Sequence, residues 1–409
     1  VVLLRIDYSR FLSGRVSYIE PSPIREMVSK IAKKSRETRV ISFAAGEPDP
    51  DVIPRGLYAE LAREVFEDKR SVNYSPTEGV LELREEIAVF MRRYEGVEST
   101  VDNIIVTLGG SQALDLVARL MLNPGEVVLT ENPSYVNTIL DWKQWGAIVT
   151  GVKIDENGLD TGELEVTVKR LKRDGRVVKL IYTIPTGQNP SGITMSNDRR
   201  KHLLEIASEH DLLVVEDGAY NYLVYEPLEV KSLKSMDSEG RVIFAGSFSK
   251  VLGTGLRIGW LHLPEELAEK FRVAKGPTDM CPPVPSQLLV LQILRRNLFE
   301  DIRSRAVETY KRKRDLMLKA IAEYMSELKH TKPIAGMFIL LWLPSHIDGW
   351  KFTEEALEKY SVAVIPAAPF FTDNSGKSVI RLNFSMVPEN DIEEGIKRLT
   401  QLIKEESLS

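Results

Sequence analysis

The sequence predicts an α/β fold: a large domain with a mostly parallel seven-stranded sheet between helices, plus a smaller α+β domain. Three observations carry this expectation. From about Asn103 onward, short β-branched runs alternate with helix-sized amphipathic stretches, the pattern of a sheet buried on both faces by its own crossover helices. After about Pro285 that alternation gives way to a long helical periodicity followed by short strands and helices. The length, 409 residues, also exceeds one domain of about 100–200 residues.

Taken in chain order, the segment up to about Pro50 is broken by Pro21, Pro23, Pro48 and Pro50. It is too short to bury a core alone and is expected to pack on the C-terminal part of the chain. The runs 104–107, 126–130, 147–152, 177–183, 212–215, 242–245 and 259–263 read as seven buried strands. The stretch 286–328 has helical periodicity and is rich in Arg, Lys, Glu and Leu. Beyond it, 337–342, 362–365 and 379–384 read as strands, with a helix between the first two and another after the third. Residues 51–305 are thus assigned to the large domain, and 1–50 with 306–409 to one discontinuous small domain.

Composition narrows the chemistry. A net charge of -5, finely mixed along the chain, argues against nucleic acid as a partner. A single cysteine, Cys281, excludes an intramolecular disulfide and Cys-based metal sites, and five scattered histidines leave no metal-ligand spacing. The expected compartment is the reducing cytoplasm. The N-terminus is apolar for only four positions before Arg5 and Asp7 intervene, so no secretory segment is predicted. The apolar run 337–343 is far shorter than the roughly 18 residues of a membrane helix.

Three motifs fail. Gly376-Lys377-Ser378 ends like a phosphate loop, but Phe371 stands where its first glycine belongs, and Asp373, Asn374 and Ser375 read as a turn. Gly253, Gly255 and Gly259 are spaced one residue too widely for a dinucleotide fingerprint. The acidic pair Glu216-Asp217 after 212–215 resembles a magnesium-binding strand end, yet has no phosphate loop to serve.

In parallel sheets ligands sit beyond the carboxyl ends of the strands, and those ends are informative here. After 104–107, two glycines precede Ser111 at a helix start, a ready anion site of free amides and helix dipole. After 242–245 come Ser247, Ser249 and Lys250, then Arg257: two hydroxyls and two cations that suit a phosphate monoester and a reactive amine. Asn189-Pro190-Ser191-Gly192 follows 180–183, and Asp217 with Tyr220 follows 212–215. An isolated lysine is ordinarily a solvated surface charge, and an isolated Asn-Pro a turn. Their joint placement at strand ends is what argues otherwise.

These motifs, in this order and with Arg381 in Ile380-Arg381-Leu382-Asn383-Phe384, resemble the pyridoxal-phosphate-dependent class I aminotransferases of fold type I. The likeness runs from about Pro21 to the C-terminal helix and is greatest to the branch of 2-aminoadipate and kynurenine aminotransferases and their archaeal multi-substrate relatives. The resemblance implies that Lys250 bonds the cofactor aldehyde and later carries the substrate Cα proton. It implies that Asp217 faces the pyridine nitrogen, Asn189 and Tyr220 the phenolic oxygen, and Tyr135 the ring face. Gly110, Ser111, Gln112, Ser247, Ser249 and Arg257 would hold the phosphate. Tyr74 matches a tyrosine that reaches that site from the neighbouring subunit, which implies a homodimer with shared active sites.

On the substrate side, the resemblance assigns the α-carboxylate to Arg381, whose planar fork matches it in a way lysine cannot. Gly46 lies where the N-terminal segment would cross the substrate, and Arg25 where a distal carboxylate would be read. The reaction so implied is ping-pong transfer of the amino group of 2-aminoadipate, glutamate or an aromatic amino acid to a 2-oxo acid such as 2-oxoglutarate. Its rivals are an alanine:glyoxylate aminotransferase, a non-catalytic sensor that keeps the cofactor fold, and a nucleotide-dependent enzyme.

Overall fold

Each of the seven runs becomes a strand of one sheet, although the strand Ile148–Asp155 is mostly part-exposed rather than buried. In the computed structural model, which describes residues 6–227, 231–373 and 375–408, the strands are β1 (Ile41–Ser42), β2 (Ile104–Thr107), β3 (Val127–Asn132), β4 (Ile148–Asp155), β5 (Gly158–Leu159), β6 (Val178–Thr183), β7 (Leu213–Asp217), β8 (Val242–Ser247), β9 (Gly259–His262), β10 (Phe338–Trp342), β11 (Val362–Ala363), β12 (Ile365–Pro366) and β13 (Val379–Asn383). The first four residues of the apolar N-terminal run, and Asn374 in the turn expected at 373–375, lie outside the described residues.

The main sheet has the order β2-β9-β8-β7-β6-β3-β4-β5. Strands β4, β3, β6, β7 and β8 are mutually parallel, and β9 runs antiparallel to both of its neighbours. All residues of β2, β3, β8 and β9 are buried, which is why these runs are continuously apolar rather than alternating. Successive connections step outward from β3 to β4 and, after the return to β6, outward the other way to β7 and β8. The direction therefore reverses between β3 and β6, where such sheets open a crevice at their carboxyl edge.

Three expectations change. The sheet has eight strands, because β4 runs on to Asp155 and turns back through Glu156 and Asn157 into the short antiparallel β5. The helical stretch 286–328 is two helices, Val284–Arg295 and Phe299–Tyr324, separated where Asn297 takes a left-handed φ of 55°. The run 362–365 divides at Val364: β11 pairs with β1, while β12 pairs with β13. β10, β13 and β12 form a three-stranded antiparallel sheet. The N-terminal segment is thus bonded to the C-terminal part through Ile41↔Val362 and Ser42↔Ala363. Among the described residues no helix is long and apolar enough to cross a membrane.

Two glycines join the small sheet to the carboxyl edge of the large one. A Cβ on Gly336 would lie 2.5 Å from Gly187 O, and one on Gly187 2.6 Å from Gly336 N. Gly336 also has a φ of 81° and donates its N–H to Leu223 O at 3.0 Å. Substitution Gly336→Ala is therefore expected to cost about 1–3 kcal/mol from the strained backbone alone, with the backbone collision added. A denaturant titration should show the midpoint fall; an unchanged midpoint would mean that this contact is loose.

Candidate functional site

The carboxyl edge of the main sheet surrounds a cavity of about 300 Å³ into which Ser111, Tyr135, Asn189, Asp217, Tyr220, Ser247, Ser249, Lys250, Arg257 and Arg381 all project, with Gly46 and Gly110 in its wall. Lys250 lies in the single helical turn Ser249–Leu252 that follows β8. Its Nζ donates to Gly46 O at 2.8 Å and lies 5.7 Å from the Tyr220 ring centre. Burial, and then the charge of Arg381, lower its ammonium pKa to about 8.

Arg381 sits in mid-β13, opposite Leu340 and Ile365. Its Nη1 donates to Asn189 Oδ1 at 3.1 Å and Nη2 to Ala44 O at 2.9 Å, both neutral acceptors. Its guanidinium carbon stands 4.4 Å from the Phe338 ring centre, and its Nε is buried without a partner. A guanidinium that is buried yet bonded only to neutral groups is poised to receive an anion. Burial lowers its pKa to about 10.

Asp217 ends β7. Its Oδ2 accepts from Tyr182 OH at 2.9 Å and its Oδ1 from Ala219 N at 3.1 Å, while burial raises its pKa. Asn189 Nδ2 lies 3.4 Å from Tyr220 OH, so Asn189 bridges Tyr220 and Arg381.

At another part of the wall the helix Gly110–Met121 begins. Arg257, itself left-handed at φ 54°, lays its guanidinium across Gly109 and donates to Leu108 O at 2.8 Å. Gly109 has a φ of 74°, a left-handed backbone that favours glycine, and a Cβ there would lie 2.9 Å from Arg257 Nη2. Ser247 Oγ accepts from Ser249 N at 3.2 Å, and Ser249 Oγ is buried with no partner. Helix-start amides, two hydroxyls, one of them unsatisfied, and a guanidinium are the donor set that a phosphate monoester requires. With a buried amine of lowered pKa beside it, the cavity fits pyridoxal phosphate.

Two residues anticipated at this site, Gln112 and Arg25, are placed elsewhere. Gln112 points away from the cavity: its Oε1 accepts from Leu108 N at 2.8 Å and its Nε2 donates to Asp279 Oδ2 at 2.7 Å, so it braces the loop that Arg257 also holds. Tyr74, expected to serve a neighbouring subunit, is 80% exposed and does not line the cavity of its own chain. Arg25 is exposed and lines an adjoining cavity of about 460 Å³, which shares Ser111, Leu114, Tyr135 and Asn137 with the first; it is Ile24 that faces the Lys250 cavity.

Sequence reasoning missed Tyr182, Phe338 and the carbonyls of Ala44 and Gly46. Tyr182, one residue before the end of β6, carried a positional signal. Carbonyl partners carry none.

The chain matches the family model for aminotransferase class I and II over residues 38–399. It is 39% identical to aromatic-amino-acid aminotransferase 1 of Thermococcus litoralis, over 98% of this chain and 96% of that protein. Identity to the 2-aminoadipate transaminase of Thermus thermophilus is 34%, over 98% of each. The crystal structure of an archaeal alanine:glyoxylate aminotransferase superposes with a TM-score of 0.96 at 48% identity, over 98% of this chain and 100% of that one. Given this match along almost the whole chain and a cavity suited to the cofactor, the protein belongs to the class I and II aminotransferases and is a pyridoxal 5′-phosphate-dependent transferase.

Proposed function

We propose that this aminotransferase moves the amino group of 2-aminoadipate, glutamate or an aromatic amino acid to a 2-oxo acid such as 2-oxoglutarate, in two successive half-reactions. The observation that carries the reading is the pair of cations in one cavity: half-buried Lys250 with its pKa lowered to about 8, and buried Arg381 with an unpartnered Nε. An amino acid offers each its complement, a Cα proton for the amine and a carboxylate for the fork.

Bound, pyridoxal phosphate supplies an aldehyde carbon that takes the amino group and a ring that accepts the electron pair left at Cα. Gly110, Ser111, Ser247, Ser249 and Arg257 would hold its phosphate, with Gln112 acting through the loop it braces. Asp217 would face the ring nitrogen, Asn189 and Tyr220 the phenolic oxygen, and Tyr135 the ring. In this reading Arg381 orients the substrate by its α-carboxylate, Gly46 lets the backbone pass close over it, and Lys250 Nζ takes the proton from Cα. Tyr74 would complete the phosphate site of a second copy, making the active unit a homodimer. Residues 51–305 would form the cofactor domain and 1–50 with 306–409 the part that closes on it. The expected location is the cytoplasm.

A second reading has its own support. Ile24, an apolar side chain, faces the Lys250 cavity, and the 48% identical structure is that of an alanine:glyoxylate aminotransferase. A small donor needs no distal cation.

Three outcomes test these readings. With two substrates varied, initial-rate plots should be parallel; intersecting lines would end the two-half-reaction scheme. In a donor panel, Arg25→Ala should lower kcat/KM for 2-aminoadipate roughly tenfold, about 1.4 kcal/mol, and leave alanine unaffected; equal values for both would favour the small-substrate reading. Finally, Lys250 bonds the cofactor as the free amine. Attachment to the apoprotein, followed by visible absorbance, should therefore rise with pH through about 8 rather than the 10.5 of an ordinary lysine. Arg381→Leu removes a charge that disfavours the ammonium, so it should move that midpoint upward.

A further inference from the structure

The backbone ladder between β3 and β6 ends at the pair Thr130↔Tyr182. One residue further, where the strands part to open the crevice, the connection is continued by a side chain. Glu131 is 2% exposed. Its carboxylate accepts from the Thr183 hydroxyl, from Ile184 N at 3.0 and 3.2 Å, and from Ser134 Oγ at 3.4 Å. Ser134 is in turn held by Thr130 Oγ1 at 3.0 Å and donates its own N–H to Phe370 O at 2.9 Å. A second tie lies beside the first: Gln188 Nε2 donates to Pro133 O at 2.7 Å, while its Oε1 accepts from Ser191 N at 2.9 Å.

These bonds join two loops. One, 132–135, ends in Tyr135; the other, 184–191, carries Ile184 and Asn189, and all three residues line the cavity. A glutamate is an expensive way to hold loops that an apolar contact could hold, since burial pushes its carboxyl up to about 7. What it supplies is direction: several donors on two segments of the chain are fixed around one group.

We propose that Glu131 is a positioning residue for transamination, clamping the ends of β3 and β6 so that Tyr135 and Asn189 keep their places around the cofactor. The proposal rests on the assignment of that cavity to the cofactor. Glu131 touches neither substrate nor cofactor; it acts through the loops.

The test uses the holoenzymes of wild type, Glu131→Ala, Glu131→Gln and Thr183→Val, with visible circular dichroism of the bound cofactor, thermal unfolding and kcat as readouts. Visible dichroism reports the asymmetric surroundings of the ring, which a purely structural residue would leave alone. Glu131→Ala is expected to halve the visible band or more and to lower kcat roughly 10- to 100-fold. Glu131→Gln, which keeps volume and one acceptor, should restore both to within about threefold, by the same positional argument. If Glu131→Ala does not fold, Thr183→Val decides: a diminished band supports the clamp and an unchanged band overturns it. A folded Glu131→Ala with lower thermal stability but wild-type dichroism and kcat also overturns it. The cofactor assignment fails separately, and this proposal with it, if the wild-type band survives Lys250→Ala.

Discussion

The active cavity depends on five residues of N-terminal chain. Phe43 donates its N–H to Ala363 O at 2.8 Å and accepts from Asn383 N at 2.7 Å. The next carbonyls hold the two cations: Ala44 O takes Arg381 Nη2, and Gly46 O takes Lys250 Nζ. Glu47 O then accepts from Ser385 Oγ at 2.6 Å. A strand of carbonyls is thereby laid across the carboxyl edge of the main sheet, and it is anchored on one side to the small sheet. Lys250 and Arg381 come from distant parts of the chain and would repel one another. A common neutral acceptor strip satisfies part of their hydrogen-bonding capacity without neutralising either. A carboxylate in its place would have raised the pKa of Lys250 and occupied the fork of Arg381. Carbonyls leave the amine reactive and the guanidinium hungry for an anion.

The polar groups of the cavity follow the same logic. Asp217 is fully enclosed, and burial alone would favour its neutral acid; Tyr182 OH and Ala219 N pull it back toward the carboxylate. Ser249 Oγ and Arg381 Nε are left without partners inside the protein. Such orphans are costly in a folded chain, and in the proposed reading cofactor and substrate would bring each an acceptor. Stability is given up locally, and the packing of two sheets around the site compensates for it.

Much of this could be read from the residues alone, because the fold is encoded redundantly. Runs such as Ile104–Thr107 and Val242–Ser247 are buried on both faces, and continuous apolarity marks them; β4, nearer the edge, is mostly part-exposed. Lys250, Asp217 and Asn189 were legible because each stands within about six residues of the carboxyl end of such a run. What escaped was encoded by single residues or by backbone. Asn297, at the break between the two long helices, is one polar residue in a periodic pattern. The division of 362–365 depends on which partner strand each half meets, a non-local fact. Glu131 reads as an ordinary polar strand end until β6 is placed beside it. Arg25 and Ile24 are adjacent on the helix Pro23–Glu37, and sequence cannot say which of two neighbours on a helix turns toward a cavity.

That last pair separates two parts of the enzyme. Asp217 and Ser247 are the last residues of β7 and β8, and Lys250 and Asn189 follow on a helical turn and a loop that those strand ends position. The side-chain end of the substrate would instead meet the first turn of a helix whose anchoring lies further along, through β1 and the carbonyl strip. Ile24 and Arg25 stand about 100° apart around that helix, so one lines the Lys250 cavity and the other the adjoining one. Relatives named for aromatic amino acids, for 2-aminoadipate and for alanine with glyoxylate share one frame. In the proposed reading this is a division of labour: donors are told apart by side chains of the N-terminal helix, while the groups proposed to move the proton stand at the carboxyl edge of the main sheet.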